Sequence, residues 1–316
     1  MKEAVVLKST GSYYQIQDSS GPVLLARTVG KLRLLDKKLT NPIGVGDHVQ
    51  YEMEAGEETN AIITGISPRK NYIVRQSPHN KHLLHLIAAN IDQALLIVTV
   101  RDPMLKPGFI DRFLMMTEPQ DIPVIIALNK SDLYEPDEID LANTLCTVYK
   151  SLGYQAFLTS VISGEGLLEL KEALQGSITL LSGQSGVGKS SLVNALEPNL
   201  TLRTGELSDH SGKGQHTTTF AEMLPLDGGG AIIDTPGIKS LSFNNLEILD
   251  VVHNFREIFK WSSQCKYNNC THRNEPHCAV KKACVDGYIS EIRYDHYIQI
   301  LSEIEEQNHW QRKKDV

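Results

Sequence analysis

The chain has 316 residues, 41% of them hydrophobic and 22% charged, and a formal net charge of −7. Such a length suits a central domain with two small ones, and the acidic balance argues against a generally sticky nucleic-acid binder. No signal peptide, membrane-length apolar run, internal repeat or low-complexity tract is visible, so a soluble, cytoplasmic protein with no membrane partner is expected.

The first strand-like segments run from Glu3 to Leu7, Tyr13 to Gln17, Val23 to Arg27, Asp47 to Glu52 and Ala61 to Ile66, with glycine turns between them. Short strands of this kind suit an OB-type barrel, a fold that often binds RNA, with a small SH3-like barrel as the alternative. Ser67-Pro68-Arg69-Lys70 reads as the boundary, giving a barrel over 1–68, an α/β domain over 69–240 and a C-terminal domain over 241–316.

The α/β domain opens with the apolar run Ile91 to Val98. A second run, Pro123 to Leu128, leads into Asn129-Lys130-Ser131-Asp132 at a strand's carboxyl end, where ligands of open α/β sheets bind. A carboxylate at Asp132 accepts hydrogen bonds from the N1 and amino groups of guanine. Adenine lacks that donor pair, so GTP is predicted over ATP. After the short strand from Gln155 to Leu158, Thr159-Ser160-Val161 resembles the base-contacting segment of GTPases, with Ser160 and Val161 as its contacts.

Ile178 to Ser182 reads as a buried strand and Ser191 to Leu196 as a helix start. Between them stands Gly183-Gln184-Ser185-Gly186-Val187-Gly188-Lys189-Ser190, a phosphate loop in its proper context. The glycines let backbone N–H groups curl around phosphates, Lys189 brings a point charge to the outer phosphates and Ser190 ligates magnesium. Gly183, Ser185, Gly186, Val187, Gly188, Lys189, Ser190 and Ser191 join Asn129, Lys130 and Asp132 as expected nucleotide contacts.

Next comes Gly212-Lys213-Gly214-Gln215-His216-Thr217-Thr218-Thr219. A threonine that reaches magnesium only beside a third phosphate defines a first switch. Thr218 is the expected ligand and Thr217 the near alternative; a polar linker capping the strand Phe220 to Leu226 is the plainer reading. Asp234, after Ala231-Ile232-Ile233, would ligate magnesium, and the N–H of Gly237 would sense the third phosphate. Ile238 follows, where many GTPases carry a water-orienting glutamine. Intrinsic hydrolysis should therefore be slow, with His216 the candidate to position water and Lys189 and Thr218 as the other catalytic groups. The guanine motif precedes the phosphate loop, the reverse of an ordinary GTPase, so the domain reads as circularly permuted.

Beyond Gly237 the chain turns helical from Leu246 to Trp261 and again from Tyr288 to Gln307, where Ile289, Ile292, Tyr297, Ile300, Leu301 and Ile304 line one face. Between these stretches, Cys265, Cys270, His272 and Cys278 form a donor set suited to one tetrahedral structural zinc. His277 and Cys284 compete for the same role. A cytosolic redox poise disfavours disulfides. Lys260, Lys266, Arg273, Lys281 and Lys282 make the window locally basic, either a solvated surface or a dock for RNA phosphates.

Together, the permuted order, Gly-Gln-His-Thr-Thr-Thr, Asp-Thr-Pro-Gly-Ile, the Cys-x4-Cys-x-His-x5-Cys window, Ala88-Ala89-Asn90-Ile91-Asp92-Gln93 and Arg293-Tyr294 resemble the ribosome small-subunit-dependent GTPase A family over essentially the whole chain. Two positions depart from it: Gln215 stands where arginine is expected and His277 where glycine is expected. The resemblance implies an OB barrel, a permuted GTPase domain and a zinc domain. It also implies GTP hydrolysis to GDP, stimulated by the small ribosomal subunit and its rRNA during late maturation. A monomer is expected. The alternative is a GTP-gated rRNA-binding protein whose hydrolysis is incidental.

Overall fold

Residues 2–19, 21–30, 32, 39–54, 56, 59–76, 83–200, 202, 221–235 and 246–314 are described by the computed structural model, with side chains to 306. Strands β1 (Lys2–Ser9), β2 (Tyr14–Gln17), β3 (Leu24–Thr28), β4 (His48–Met53) and β5 (Asn60–Ile66) form the N-terminal barrel. In β2, Tyr14 and Ile16 are buried while Gln15 and Gln17 are exposed, the period-two pattern of a strand with one face in a core. β1 pairs antiparallel with both β2 and β4, β3 runs parallel to β5, and β4 closes against β5. The circuit β1-β2-β3-β5-β4-β1 is the OB-type closure, not the SH3-like one. Val6, Ile16, Ala26, Val49, Tyr51 and Ile63 fill it.

A hairpin not foreseen from the sequence, β6 (Tyr72–Gln76) with β7 (Leu84–Ala89), lies between barrel and α/β sheet. It is tied to the barrel side by Ala89 N–H donating to Val45 O at 2.8 Å.

The α/β sheet consists of β8 (Gln93–Val98), β9 (Val124–Asn129), β10 (Gln155–Thr159), β11 (Ile178–Gly183), β12 (Glu222–Pro225) and β13 (Ala231–Asp234). Its order is β10-β9-β8-β11-β13-β12, parallel except for β12. All of β9 is buried, as a parallel strand covered on both faces must be. In β8, Ala94, Leu96 and Val98 face a cluster with Phe113 of α1 (Phe109–Thr117) and Leu145 and Tyr149 of α2 (Pro136–Ser151). Leu95 and Ile97 face the opposite cluster, with Leu170 of α3 (Leu167–Leu174) and Leu192 of α4 (Lys189–Leu196). The free edge of β12 pairs with β1 at Glu222↔Lys8, which joins barrel and α/β strands into one sheet. Val5 and Leu7 of β1 pack against the α/β core.

In the C-terminal part, the stretch expected to be helical from Leu246 to Trp261 divides into α5 (Ile248–Asn254) and α6 (Arg256–Ser262). The chain leaves helical geometry at Phe255, φ −95° and ψ 97°, and sends that ring into the core at 5.4 Å from Tyr297. α7 (Ala279–Val285) and α8 (Glu291–Lys314) complete the region. Of the apolar face foreseen for the last helix, Tyr297, Ile300, Leu301 and Ile304 are buried, whereas Ile289 is buried just before α8 begins. No described helix is long and apolar enough to cross a membrane.

Candidate nucleotide and metal sites

The two loops expected to read the base and to hold the phosphates, Asn129 to Asp132 and Gly183 to Ser190, converge with the end of β10 at the carboxyl ends of β9, β10 and β11. β8, between β9 and β11, is where the connection changes direction across the sheet, the place where open α/β sheets bind ligands. Close approach of backbone fixes the glycines. A Cβ on Gly183 (φ +149°) would lie 2.3 Å from Ile97 O, and one on Gly188 (φ +89°) would lie 2.7 Å from Asn129 Nδ2.

That second contact reflects an interlock. Asn129, 2% exposed, donates through Nδ2 to Val187 O at 2.8 Å and accepts from Thr159 Oγ1 at 3.1 Å. A single amide thus holds together the end of β9, the end of β10 and the loop before α4. Ser160 is fully buried, and its hydroxyl donates to Asp132 Oδ1 at 2.5 Å while accepting from the N–H groups of Ile162 and Ser163, each at 3.1 Å. These bonds fix the orientation of the Asp132 carboxylate; Val161 beside Ser160 is half-buried. Lys130, in left-handed conformation (φ 64°), donates to Asp102 O at 2.8 Å.

Sequence reasoning missed two supports of this loop. Tyr134 donates to Asn129 O at 2.6 Å and accepts from Val100 N–H at 3.0 Å, and Ser131 Oγ donates to Glu165 at 2.5 Å. Tyr134 follows the motif by two residues and Ser131 lies within it, but neither residue type announces its bond, and Glu165 is 34 residues from Ser131.

Lys189 Nζ donates to Gly183 O and Gln184 O, at 2.9 and 2.7 Å. Burial lowers its pKa, opposed by the charge of Asp234. Burial likewise raises the Asp234 carboxyl, with Lys189 pulling it down and Glu222 pushing it up. Asp234 ends β13 opposite Leu181 of β11, which sets its carboxylate beside the phosphate loop. Ser185 and Gly186 are exposed and Val187 is buried on the loop, while in the first turn of α4 Ser190 is half-buried and Ser191 exposed. Ser190 and Asp234 offer the hard oxygen donors that magnesium takes. His216, Thr217, Thr218, Gly237 and Ile238 lie outside the described residues.

In the C-terminal region, His272 Nδ1 lies 3.5 Å from Cys265 Sγ and 3.4 Å from Cys278 Sγ, and those two sulfurs are 3.9 Å apart. With Cys270 Sγ, the four donors lie within 4.8 Å of one another. A tetrahedron with Zn–S of about 2.3 Å and Zn–N of about 2.1 Å has edges of roughly 3.6–3.8 Å, so the cluster could hold such an ion. All five cysteines are free thiols. Burial pushes the Cys270 thiol up to about 12, so a thiolate there needs a cation beside it. Neither competitor, His277 nor Cys284, belongs to the cluster. Glu275 braces the loop, accepting from Thr271 N–H and Oγ1 at 2.7 Å each and from Arg273 N–H at 2.9 Å. Of the basic residues in the window, Arg273 is engaged with Glu305 at 2.5 and 2.7 Å and is not a spare charge for a phosphate.

The comparisons with known proteins agree with this architecture. A family model described as RsgA GTPase matches residues 66–244, and one described as RsgA N-terminal domain matches residues 3–63. The chain is 47% identical over 304 residues to the small ribosomal subunit biogenesis GTPase RsgA of Bacteroides fragilis, covering 96% of this chain and 97% of that protein. Among solved structures, YjeQ from Thermotoga maritima superposes with a TM-score of 0.77 at 35% identity, covering 96% of this chain and 98% of that one. YloQ, described as a circularly permuted GTPase, gives a TM-score of 0.73 at 32% identity, covering 97% and 96%. With a family model spanning the larger part of its length and a relative matched almost end to end, the chain belongs to the RsgA GTPase family.

Proposed function

We infer that this protein hydrolyses GTP while bound to the small ribosomal subunit and acts in late maturation of that particle, with turnover stimulated by the subunit. The interlock of Asn129 with Val187 carries the reading, because it joins a guanine-reading loop to a phosphate loop. The name of the Bacteroides fragilis relative supports the particle.

In this reading Asp132, aimed by Ser160, accepts from guanine, and the loop from Gly183 to Ser191 cradles the phosphates. Lys189 exchanges its backbone acceptors for phosphate oxygens. Ser190, Asp234 and Thr218, or Thr217 in its place, hold magnesium, which neutralises charge developing on the transferred phosphoryl group. His216 positions the attacking water, since the isoleucine at Ile238 cannot. Cys265, Cys270, His272 and Cys278 hold one structural zinc. Barrel and zinc module dock together on rRNA, each weak contact strengthened by the other through effective concentration. We propose division of the chain at 68 and 240, a monomeric state and a cytoplasmic location.

GTP turnover by the purified protein, alone and with small subunits, large subunits or free rRNA, tests this. Intrinsic rates of such enzymes fall to about 10⁻⁴ per second, so stimulation is easily seen. Acceleration by small subunits alone is expected. Tight GTP binding with no acceleration by any particle would make the protein a nucleotide-gated rRNA binder instead.

A further inference from the structure

The strand registers set three charged residues in one row across the joined sheet. Lys8 in β1 is the partner of Glu222 in β12, and Glu222 is the partner of Asp234 in β13. Residues directly opposite in an antiparallel pair share a face, with Cβ atoms roughly 5 Å apart, and like charges so placed destabilise the pair. Two carboxylates nevertheless stand opposite each other here. Cations flank them: Lys8 Nζ donates to Glu222 Oε2 at 2.8 Å, and the charge of Lys189 bears on Asp234. From barrel to phosphate loop the order is Lys8, Glu222, Asp234, Lys189. The side chain of Glu222 is 37% exposed, so the strand itself would accept a neutral residue there.

We propose that Glu222 is a positioning residue for the divalent cation held by Asp234, and that Lys8 draws the N-terminal barrel into the same electrostatic balance. The proposal rests on the reading of Asp234 as a magnesium ligand. Glu222 deepens the negative potential at Asp234 and Lys8 moderates it. Linkage then makes the effect reciprocal: whatever draws Lys8 away from Glu222 tightens cation binding, and cation binding changes the hold of β12 on Lys8. The contact occurs where β1 is already fixed to the α/β core through Val5 and Leu7, so the barrel cannot shift without disturbing the pair.

Release of a fluorescent GDP analogue from the full-length protein, followed against magnesium concentration, tests the proposal. Glu222→Gln is nearly isosteric and is expected to weaken magnesium affinity about five-fold. Lys8→Ala is expected to tighten it about two- to three-fold, in the wild-type and the Glu222→Gln backgrounds alike, because the lysine charge opposes a nearby cation whether or not Glu222 is ionised. Exchanging the charges, Lys8→Glu with Glu222→Lys, keeps an ion pair but puts a cation beside Asp234, and affinity then falls about ten-fold or more. Rescue to wild-type behaviour by the exchange would mean a merely structural pair and would overturn the proposal, as would a Glu222→Gln protein indistinguishable from wild type. Absence of magnesium-dependent nucleotide binding in the wild-type protein would instead overturn the reading of the site.

Discussion

The guanidinium of Arg293 in α8 and the carboxylate of Asp111 in α1, 182 residues apart, form an ion pair with both side chains at most 1% exposed. Glu257 of α6 receives the remaining fork of the guanidinium at 2.7 and 3.0 Å. Tyr149 donates to Asp111 at 2.7 Å, and His296 Nδ1 bonds its other oxygen. The helices that flank the Cys and His window are thus fastened to the α/β core by charge as well as by packing.

Truncating one partner of this network leaves the remaining buried charges unbalanced: Asp111 would keep only Tyr149 and His296, and Arg293 only Glu257. Arg293→Ala or Asp111→Ala is expected to cost about 3–5 kcal/mol of stability, read from urea or thermal unfolding.

The same network predicts an acid limit. Burial alone would raise the Asp111 carboxyl, but Arg293, His296 and Tyr149 outweigh it and hold the pKa below the ordinary carboxylate range. A folded-state pKa below the unfolded value stabilises fully above the unfolded pKa, about 3.9, and the contribution is lost as pH falls further through the folded value. Thermal midpoints should decline below about pH 4 in the wild-type protein and less steeply in Asp111→Asn.

Asn129→Ala should remove the link between the loops, leaving Val187 O and Thr159 Oγ1 without the partner each has now. A lost buried bond costs about 1–3 kcal/mol, so guanine nucleotide affinity should fall about 10- to 100-fold. Fluorescence titration with a GDP analogue measures it.

Chelation should release one zinc per chain and unfold the C-terminal region. Cys265→Ser, Cys270→Ser or Cys278→Ser should abolish stoichiometric zinc, whereas Cys284→Ser and Cys146→Ser, outside the cluster, should retain it. Metal analysis of the purified variants decides this.

His277 adopts φ 57° and is exposed. The left-handed region costs an L-residue about 1–2 kcal/mol, partly offset by the greater freedom glycine has when unfolded. His277→Gly should therefore raise stability by roughly 0.5–1 kcal/mol, seen as a higher melting temperature of the zinc-loaded protein. The glycine expected there from the family resemblance has a backbone reason.

Much of the architecture is legible in the sequence because burial imposes pattern. β9 is an unbroken apolar run since both its faces are covered, and the barrel strands alternate since only one is. Motifs made of neighbouring residues, such as the phosphate loop and the Cys and His window, are readable for a different reason: chemistry fixes their spacing. What escaped depends on distant partners. Nothing in the local sequence of Arg293 marks it as buried, and the role of Ser160 in aiming Asp132 emerges only when two strand ends lie side by side. The break at Phe255 was likewise invisible, because the core contact with Tyr297 decides it.

The shared edge between β1 and β12 also bears on how the chain is made. Lys8 and Glu222 are 214 residues apart, and at 5–20 residues per second the second strand follows the first by roughly 10–40 s. A barrel that closes during that interval leaves the stretch of its edge near Lys8 without the strand it pairs with in the finished fold. An unpaired strand edge invites pairing with other chains, and a lysine placed on it is a common deterrent. The residue that later meets Glu222 thus first guards a nascent edge against the wrong neighbour.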